Sequence, residues 1–245
     1  MTPSNRPAGM PGHEIWRREA AKARGRLYPS TVLYAAYSFS LLAWTLRGPR
    51  HRAAALAFFA LGVATWTAVE YAVHRYVLHG RFPDGPGALQ HFLHVRFDPL
   101  HWEHHERPWD GEHINGRLQD TVLFAAVLVA IAAFFPVWSA PVLMGGFLLS
   151  YIVEEWVHHS VHFYHFNNHY FWYIKRHHLY HHSPKGGDVG YGLTNGFWDV
   201  VFRTRIPSAQ RRRLYARARK EVRSPAAAPR HDVEAAIGRG PTTAA

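Results

Sequence analysis

Ten histidines in four short clusters are the part of this sequence best suited to chemistry. His74 and His79 bracket His-Arg-Tyr-Val-Leu-His. His101, His104 and His105 stand in His-Trp-Glu-His-His. His158 and His162 stand in His-His-Ser-Val-His, and His178, His181 and His182 in His-Leu-Tyr-His-His. Spacings of three and four residues put imidazoles on one face of a helix. His74 and His79 are five apart, about 140° around a 3.6-residue helix. Either that pair serves two ions or the helix loosens there. Ten imidazoles are too many for one ion and suit two. Neutral imidazole binds Fe, Zn, Cu and Ni. Two redox ions held by neutral ligands keep a high positive charge, and an open coordination position on such a pair can bind and activate O₂.

The 245-residue chain contains no cysteine, which excludes a disulfide framework, a thiolate zinc site and a cysteine nucleophile. It contains 20 histidines, far above ordinary usage, which points to a chain that binds something with imidazoles. Any single histidine is more often a surface side chain than a ligand, and that reading is taken for His13, His51, His113 and His231. His91, His94, His159, His165, His169 and His177 are either neighbours of the site or supports for it. Glu70, Glu103, Asp188, Asn195 and Asp199 are the candidate acceptors for the second nitrogen of a ligand imidazole.

The elements that must position these histidines are apolar. Apolar residues make up 48% of the chain and charged ones 18%, with 28 basic against 17 acidic residues and a net charge of +11. An acidic disordered chain and a collagen-like one are excluded. Leu27 to Leu46 is 20 residues without a charge, Ala53 to Val69 a further 17, and Thr121 to Val153 a further 33. A bilayer core of about 30 Å needs about 20 helical residues. The first two runs predict a helical hairpin turned at Leu46-Arg-Gly-Pro-Arg50. The third divides at Phe135-Pro136 to Pro141 into two short helices. The expected fold is therefore all-α and multi-pass: four apolar helices in two hairpins, with the histidines outside the spans. Residues 1–26 form a polar basic N-terminal segment without a signal peptide, 27–205 the membrane domain, and 206–245 a basic tail that is partly disordered, from Ser224 onward. If each hairpin returns to its starting face, 1–26, 70–120 and 154–245 share one side. Their Lys and Arg place that side in the cytoplasm, although Arg47, Arg50 and Arg52 crowd the opposite turn.

The four boxes in order resemble those of the fatty acid hydroxylase superfamily, also called the sterol desaturase superfamily. Three further stretches are similar to that family: Glu155-Trp-Val-His158, Tyr173-Ile-Lys-Arg-His-His-Leu-Tyr-His-His182, and Gly190-Tyr-Gly-Leu-Thr-Asn-Gly-Phe-Trp-Asp-Val-Val-Phe202. The resemblance covers about residues 55–205 and is nearest the fatty acid 2-hydroxylase branch. It implies an integral-membrane di-iron monooxygenase, with O₂ as cosubstrate and zinc able to replace iron. It assigns His74, His79, His101, His104, His105, His158, His162, His178, His181 and His182 as the metal ligands, held in a cytoplasmic helical cap. It implies a lipid acyl chain as substrate, with fatty acid 2-hydroxylation expected. Residues 1–26 cannot hold the fused haem domain common in eukaryotic members and lack its His-Pro-Gly-Gly, so a separate electron-transfer protein and reductase are the expected partners.

Sterol or carotenoid hydroxylation and lipid desaturation use the same centre and give different products. A histidine-rich metal-binding or transporting membrane protein would put polar ligands within its spans, and here they lie outside. The Arg-rich stretch 211–223 suits anionic lipid, which can coexist with catalysis. Nucleic acid is not an expected partner, because the basic residues sit at membrane flanks. Trp66, Tyr71, Trp102, Trp109, Trp156 and Trp172 suit the wall of an amphipathic access route. Arg75, Arg81, Lys175 and Arg176 at the same level suit a carboxylate or phosphate.

Overall fold

A computed structural model describes residues 12–223, with the side chains of 96–100 and 217–223 left aside. Every regular element among the described residues is helical. In chain order they are α1 (Gly12–Arg47), a 3₁₀ turn (Pro49–His51), α2 (Arg52–Ala72), a π-helical turn (Val73–Leu78), α3 (Ala88–Glu106), α4 (Leu118–Ala132), α5 (Ala140–Phe163), α6 (His169–His181), α7 (Phe197–Val201) and α8 (Ser208–Arg223). The chain forms two compact units that divide between His159 and Ser160, inside the uninterrupted α5. The tail from Ser224 lies outside the described residues.

In the first unit α1 begins at Gly12, so the polar stretch 12–26 is helical and continuous with the apolar run after it. Its buried side chains fall at a helical repeat: Ala23, Leu27, Ser30, Tyr34 and Ser38. The charged part is held by ion pairs. Lys22 reaches Glu19, Asp110 and Glu112, and Arg26 bonds Glu112 at 2.6 Å. The 3₁₀ turn Pro49–His51 joins α1 to α2, with Arg52 donating to the Leu46 carbonyl at 2.8 Å, which satisfies one of the last open acceptors of α1.

The long third run divides where its prolines require. α4 ends at Ala132, Ser139 caps the next turn on the Pro136 carbonyl, and α5 starts at Ala140. Among the described residues two helical stretches are long and apolar enough to cross a membrane, Pro49–Leu78 and Ala140–Phe163; they include His74, His158 and His162, which the charge-free runs alone had left outside. α4, at 15 residues, is shorter than the roughly 20 a straight span requires.

Small residues let the helices approach. Ser38 donates to the Gly145 carbonyl at 2.7 Å across α1 and α5. A Cβ on Gly146 would collide with the Phe59 carbonyl, so α2 and α5 touch backbone to backbone there. Around these contacts Tyr34, Met144, Leu148, Tyr151 and Ile152 form the apolar core, with Trp66 edge-on to Phe147 and Tyr151.

The second unit is α6, α7, α8 and their loops. Asn168 caps α6 through the Phe171 amide at 2.9 Å. The stretch after α6 folds back as a loop whose centre is the buried Asp199. Its carboxylate accepts from the Tyr191 and Gly192 amides at 2.9 and 3.1 Å, from Thr204 Oγ1 at 2.8 Å, and meets His177 Nε2 at 3.1 Å. Gly190 sits at φ +76°, a left-handed conformation that turns the chain so both following amides face that carboxylate.

Candidate metal centre

The alternative left open by His74 and His79 is decided by the backbone. α2 does not continue as an α-helix. It widens at Val73–Leu78 into a π turn closed by His79 N–H donating to the His74 carbonyl at 3.1 Å. An i→i+5 bond stacks residues five apart, so the two rings come together, with centroids 5.1 Å apart. His74 is buried and His79 half-buried.

α3 brings the second cluster to the first. His101 and His105 are one turn apart on it, and His101 Nε2 lies 2.9 Å from His79 Nε2 and 3.1 Å from His105 Nε2. The ligand nitrogens of His74, His79, His101 and His105 all lie within 4.8 Å of one another. His104 points elsewhere on α3, and its Nε2 meets His158 Nε2 of α5 at 3.1 Å.

The second unit holds its own set. His178, His181 and His182 close α6 at spacings of three and four. His178 Nε2 meets His162 Nε2 at 2.8 Å and His182 Nε2 at 3.0 Å. His181 turns its Nδ1 to the Val189 carbonyl at 2.8 Å, which makes Nδ1 the protonated nitrogen and Nε2 the available lone pair. All four rings are buried.

These contacts fit a metal better than they fit hydrogen bonds. An imidazole nitrogen has a single in-plane site, a proton or a lone pair. His101 Nε2 and His178 Nε2 each face two other Nε2 atoms, which one proton cannot serve well. At a metal–nitrogen distance of about 2.1 Å, ligands at right angles stand about 3.0 Å apart. The observed separations run from 2.8 to 3.1 Å. Electrostatics agrees. Burial first, then the neighbouring imidazoles, hold the His101 pKa well below its ordinary value, and burial lowers that of His181 to about 4. Both rings are therefore neutral, as a ligand must be.

The other sequence candidates divide sharply. Asp199 is a support, but its partner is His177 rather than a box histidine. Glu103 pairs with Arg107 and His113, and Asn195 Oδ1 accepts from the Phe197 amide at the start of α7. His91 pairs with Asp84 on an exposed loop, and His94 bonds the Phe82 carbonyl. Glu155, adjacent to the third box, is a buried strut that accepts from Asn115 Nδ2 at 2.8 Å and from the Gly116 amide. Only the Glu-Trp-x-His likeness hinted at its importance.

Of the aromatic residues, Trp66 and Tyr71 are core packing and Trp156 bonds Thr31 at 2.9 Å. Trp102 and Trp172 do carry cations on their faces: Arg81 at 4.8 Å and Arg176 at 4.9 Å from the ring centroids. Arg75 lies over Tyr76. Lys175 is no surface cation. Its Nζ donates to the Tyr164 carbonyl at 2.8 Å, and burial, then Arg176, lower its pKa to about 8.

These features define a helical protein with histidine clusters that could hold metal and stretches long and apolar enough to cross a membrane. Residues 59–204 match the fatty acid hydroxylase family, and the chain belongs to it. Among its relatives, a rat fatty acid 2-hydroxylase is 30% identical over 154 residues, which are 62% of this chain and 40% of that protein. An Arabidopsis thaliana dihydroceramide fatty acyl 2-hydroxylase is 32% identical over 155 residues, 59% of each chain. A Schizosaccharomyces pombe ceramide very long chain fatty acid hydroxylase is 33% identical over 62% of this chain and 43% of its own. This chain thus spans about two-fifths of the rat and fission-yeast proteins. The solved hydroxylase domain of full-length scs7p superposes with a TM-score of 0.61 at 26% identity, covering 74% of this chain and 67% of that one.

Proposed function

We propose that this protein is a membrane-bound, O₂-dependent monooxygenase that hydroxylates a lipid acyl chain with two iron ions. The observation that carries the reading is the convergence of imidazole Nε2 atoms at 2.8–3.1 Å within each unit. His158 and His162 stand one turn apart on the unbroken α5. The ligands of the two ions are His74, His79, His101, His104, His105, His158, His162, His178, His181 and His182. Zinc can replace iron in such a set.

The bound ions would supply oxygen activation and the power to cleave an unactivated C–H bond. The chain's own part is to hold ten neutral imidazoles, fix their tautomers and exclude water. The Val189 carbonyl does the second for His181, and burial of His74, His104 and His178 does the third. The overall balance is R–H, O₂, two electrons and two protons giving R–OH and water. A separate electron-transfer protein and its reductase provide the electrons.

The remaining architecture is proposed with it: four apolar helices in two hairpins, and the metal ligands in a helical cap on the cytoplasmic face. The names of the relatives support an acyl chain, free or in a ceramide, as substrate. The first and third boxes begin five residues beyond the apolar runs that end at Val69 and Val153, so an oxidant there meets a lipid near its polar end, at carbon 2 before the methyl end. Arg81 over Trp102 and Arg75 over Tyr76 suit the head group at that level.

Lipids from cells with and without the protein, analysed by mass spectrometry, test the reading. The gain of one oxygen, about 16 mass units, on an acyl chain is expected. The loss of two hydrogens would identify a desaturase, and oxygen found only on a sterol or carotenoid ring would overturn the substrate class.

A further inference from the structure

The proposed reaction consumes two electrons, and the second unit contains a surface suited to receive them. Between residues 160 and 216 there are eight Lys and Arg and two acidic residues, Asp188 and Asp199, and Asp199 is fully buried. The excess is concentrated on α8 and the stretch before it: Arg203 and Arg205, then Arg211, Arg212 and Arg213. Arg203, Arg205, Arg212 and Arg213 are exposed, and Arg211 is half-buried.

Aromatic rings lead inward from this surface. Tyr215 of α8, 37% exposed, stacks on Tyr173 of α6 with centroids 5.8 Å apart and planes 17° from parallel. Tyr173 lies 5.5 Å from the His177 ring, tilted by 34°. One peptide bond beyond His177 is His178, a proposed ligand. His177 is itself fixed by Asp199, so the inner end of the series is rigid. Arg176 and Arg211 flank its outer end, lining a shallow cleft with Tyr173 and Tyr215.

We propose that the α8 face, Arg205 with Arg211 to Arg213, is the docking site of an acidic one-electron carrier protein, and that Tyr215, Tyr173 and His177 form the electron route from it. The proposal rests on the monooxygenase reading. Each docking oxidises one reduced carrier and delivers one electron to the centre, and two carriers serve one turnover. An anionic lipid surface is the competing occupant. A helix lying on a bilayer buries its apolar side in lipid. α8 instead turns Tyr215 onto Tyr173 and half-buries Leu214, so this apolar side is used within the protein while Arg212 and Arg213 point outward. Patches of this kind steer an oppositely charged protein and weaken as salt rises.

The test uses the full-length, iron-loaded protein in neutral-lipid nanodiscs and a small [2Fe–2S] ferredoxin of net negative charge as probe. Calorimetry reads the affinity at about 20 and 200 mM salt, where the screening length falls roughly threefold. Anaerobic stopped-flow reads oxidation of the reduced ferredoxin by the ferric protein, with dithionite as a reductant that needs no docking. R211E/R212E/R213E should weaken ferredoxin binding about tenfold or more at low salt and remove its salt dependence. Tyr173→Leu should bind as the wild type does yet accept electrons from ferredoxin about tenfold more slowly, with the dithionite rate unchanged and Tyr173→Phe close to wild type. No ferredoxin binding by the wild type, or equal binding by the charge-reversed variant, overturns the docking site. Loss of phosphatidylserine-vesicle binding in that variant with ferredoxin affinity intact makes the surface a lipid contact instead. A wild-type rate for Tyr173→Leu overturns the route. A protein that binds ferredoxin but holds no iron pair would sink the monooxygenase reading and leave the docking result standing.

Discussion

Replacing Asp199 should unlock the loop behind the last histidine box. Its carboxylate is fully buried and meets four donors: two backbone amides, one hydroxyl and the His177 ring. Asp199→Asn keeps the shape but removes the charge, and puts an NH₂ where a donor already points. Hydrogen bonds to a charged group contribute about 1.5–3 kcal/mol, and a buried donor left without an acceptor costs about 1–3 kcal/mol. A loss of about 2–4 kcal/mol follows, against a total stability of about 5–15 kcal/mol for an ordinary domain. At about 2–4 °C per kcal/mol for a chain of this size, Tm should fall by roughly 5–15 °C. Thr204→Val, which removes one of the four, should cost about 1–2 kcal/mol. Tryptophan fluorescence on heating in detergent reads both. The effect also has a pH signature. Burial alone would raise the Asp199 pKa, but the His177 bond and charge, Thr204 and the amides outweigh it and leave the value lowered. A lowered folded pKa contributes stability that is complete above the unfolded value, about 3.9, and is lost as pH falls through the folded one. The gap between wild type and Asp199→Asn should therefore be steady above about pH 5 and close in acid. A variant that melts within about 1 °C of wild type at pH 7 would refute the reasoning.

Three further outcomes are expected. His104→Ala should lower the iron content and abolish product with the protein still in the membrane, whereas His113→Ala, which removes only part-exposed pairs to Asp110 and Glu103, should do neither; metal analysis beside product analysis separates them. Gly146→Ala should lower Tm by the equivalent of about 1–3 kcal/mol, because its Cβ meets the Phe59 carbonyl, while Gly25→Ala, which meets nothing within 4 Å, should gain about 0.5–1 kcal/mol. A reporter fused after Ala245 should read as cytoplasmic; an external reading would mean that Arg47, Arg50 and Arg52 mark the inner side.

The sequence by itself determined the identity and number of the histidines, their helical spacing on α3 and α6, and the break at Pro136 to Pro141. Each is a local matter: helical spacing, a proline, a charge-free run. It also left one question in a decidable form, since His74 and His79 cannot share a face of an α-helix. Tertiary structure answered it with a π turn, whose i→i+5 bonding no residue type announces. Structure also split α3, sending His101 and His105 one way and His104 another, because facing is set by the neighbouring helix and not by spacing alone. Asp199 stood among five candidate supports. Only the fold of 190–204 brought two amides, a hydroxyl and His177 onto it, since residues five to 22 apart in sequence converge through a loop reversal that composition does not encode. The polar residues 12–26 show the same limit from the other side. Their charges mark a polar basic segment, and only the fold shows that Asp110 and Glu112, distant in sequence, pair with its Lys22 and Arg26.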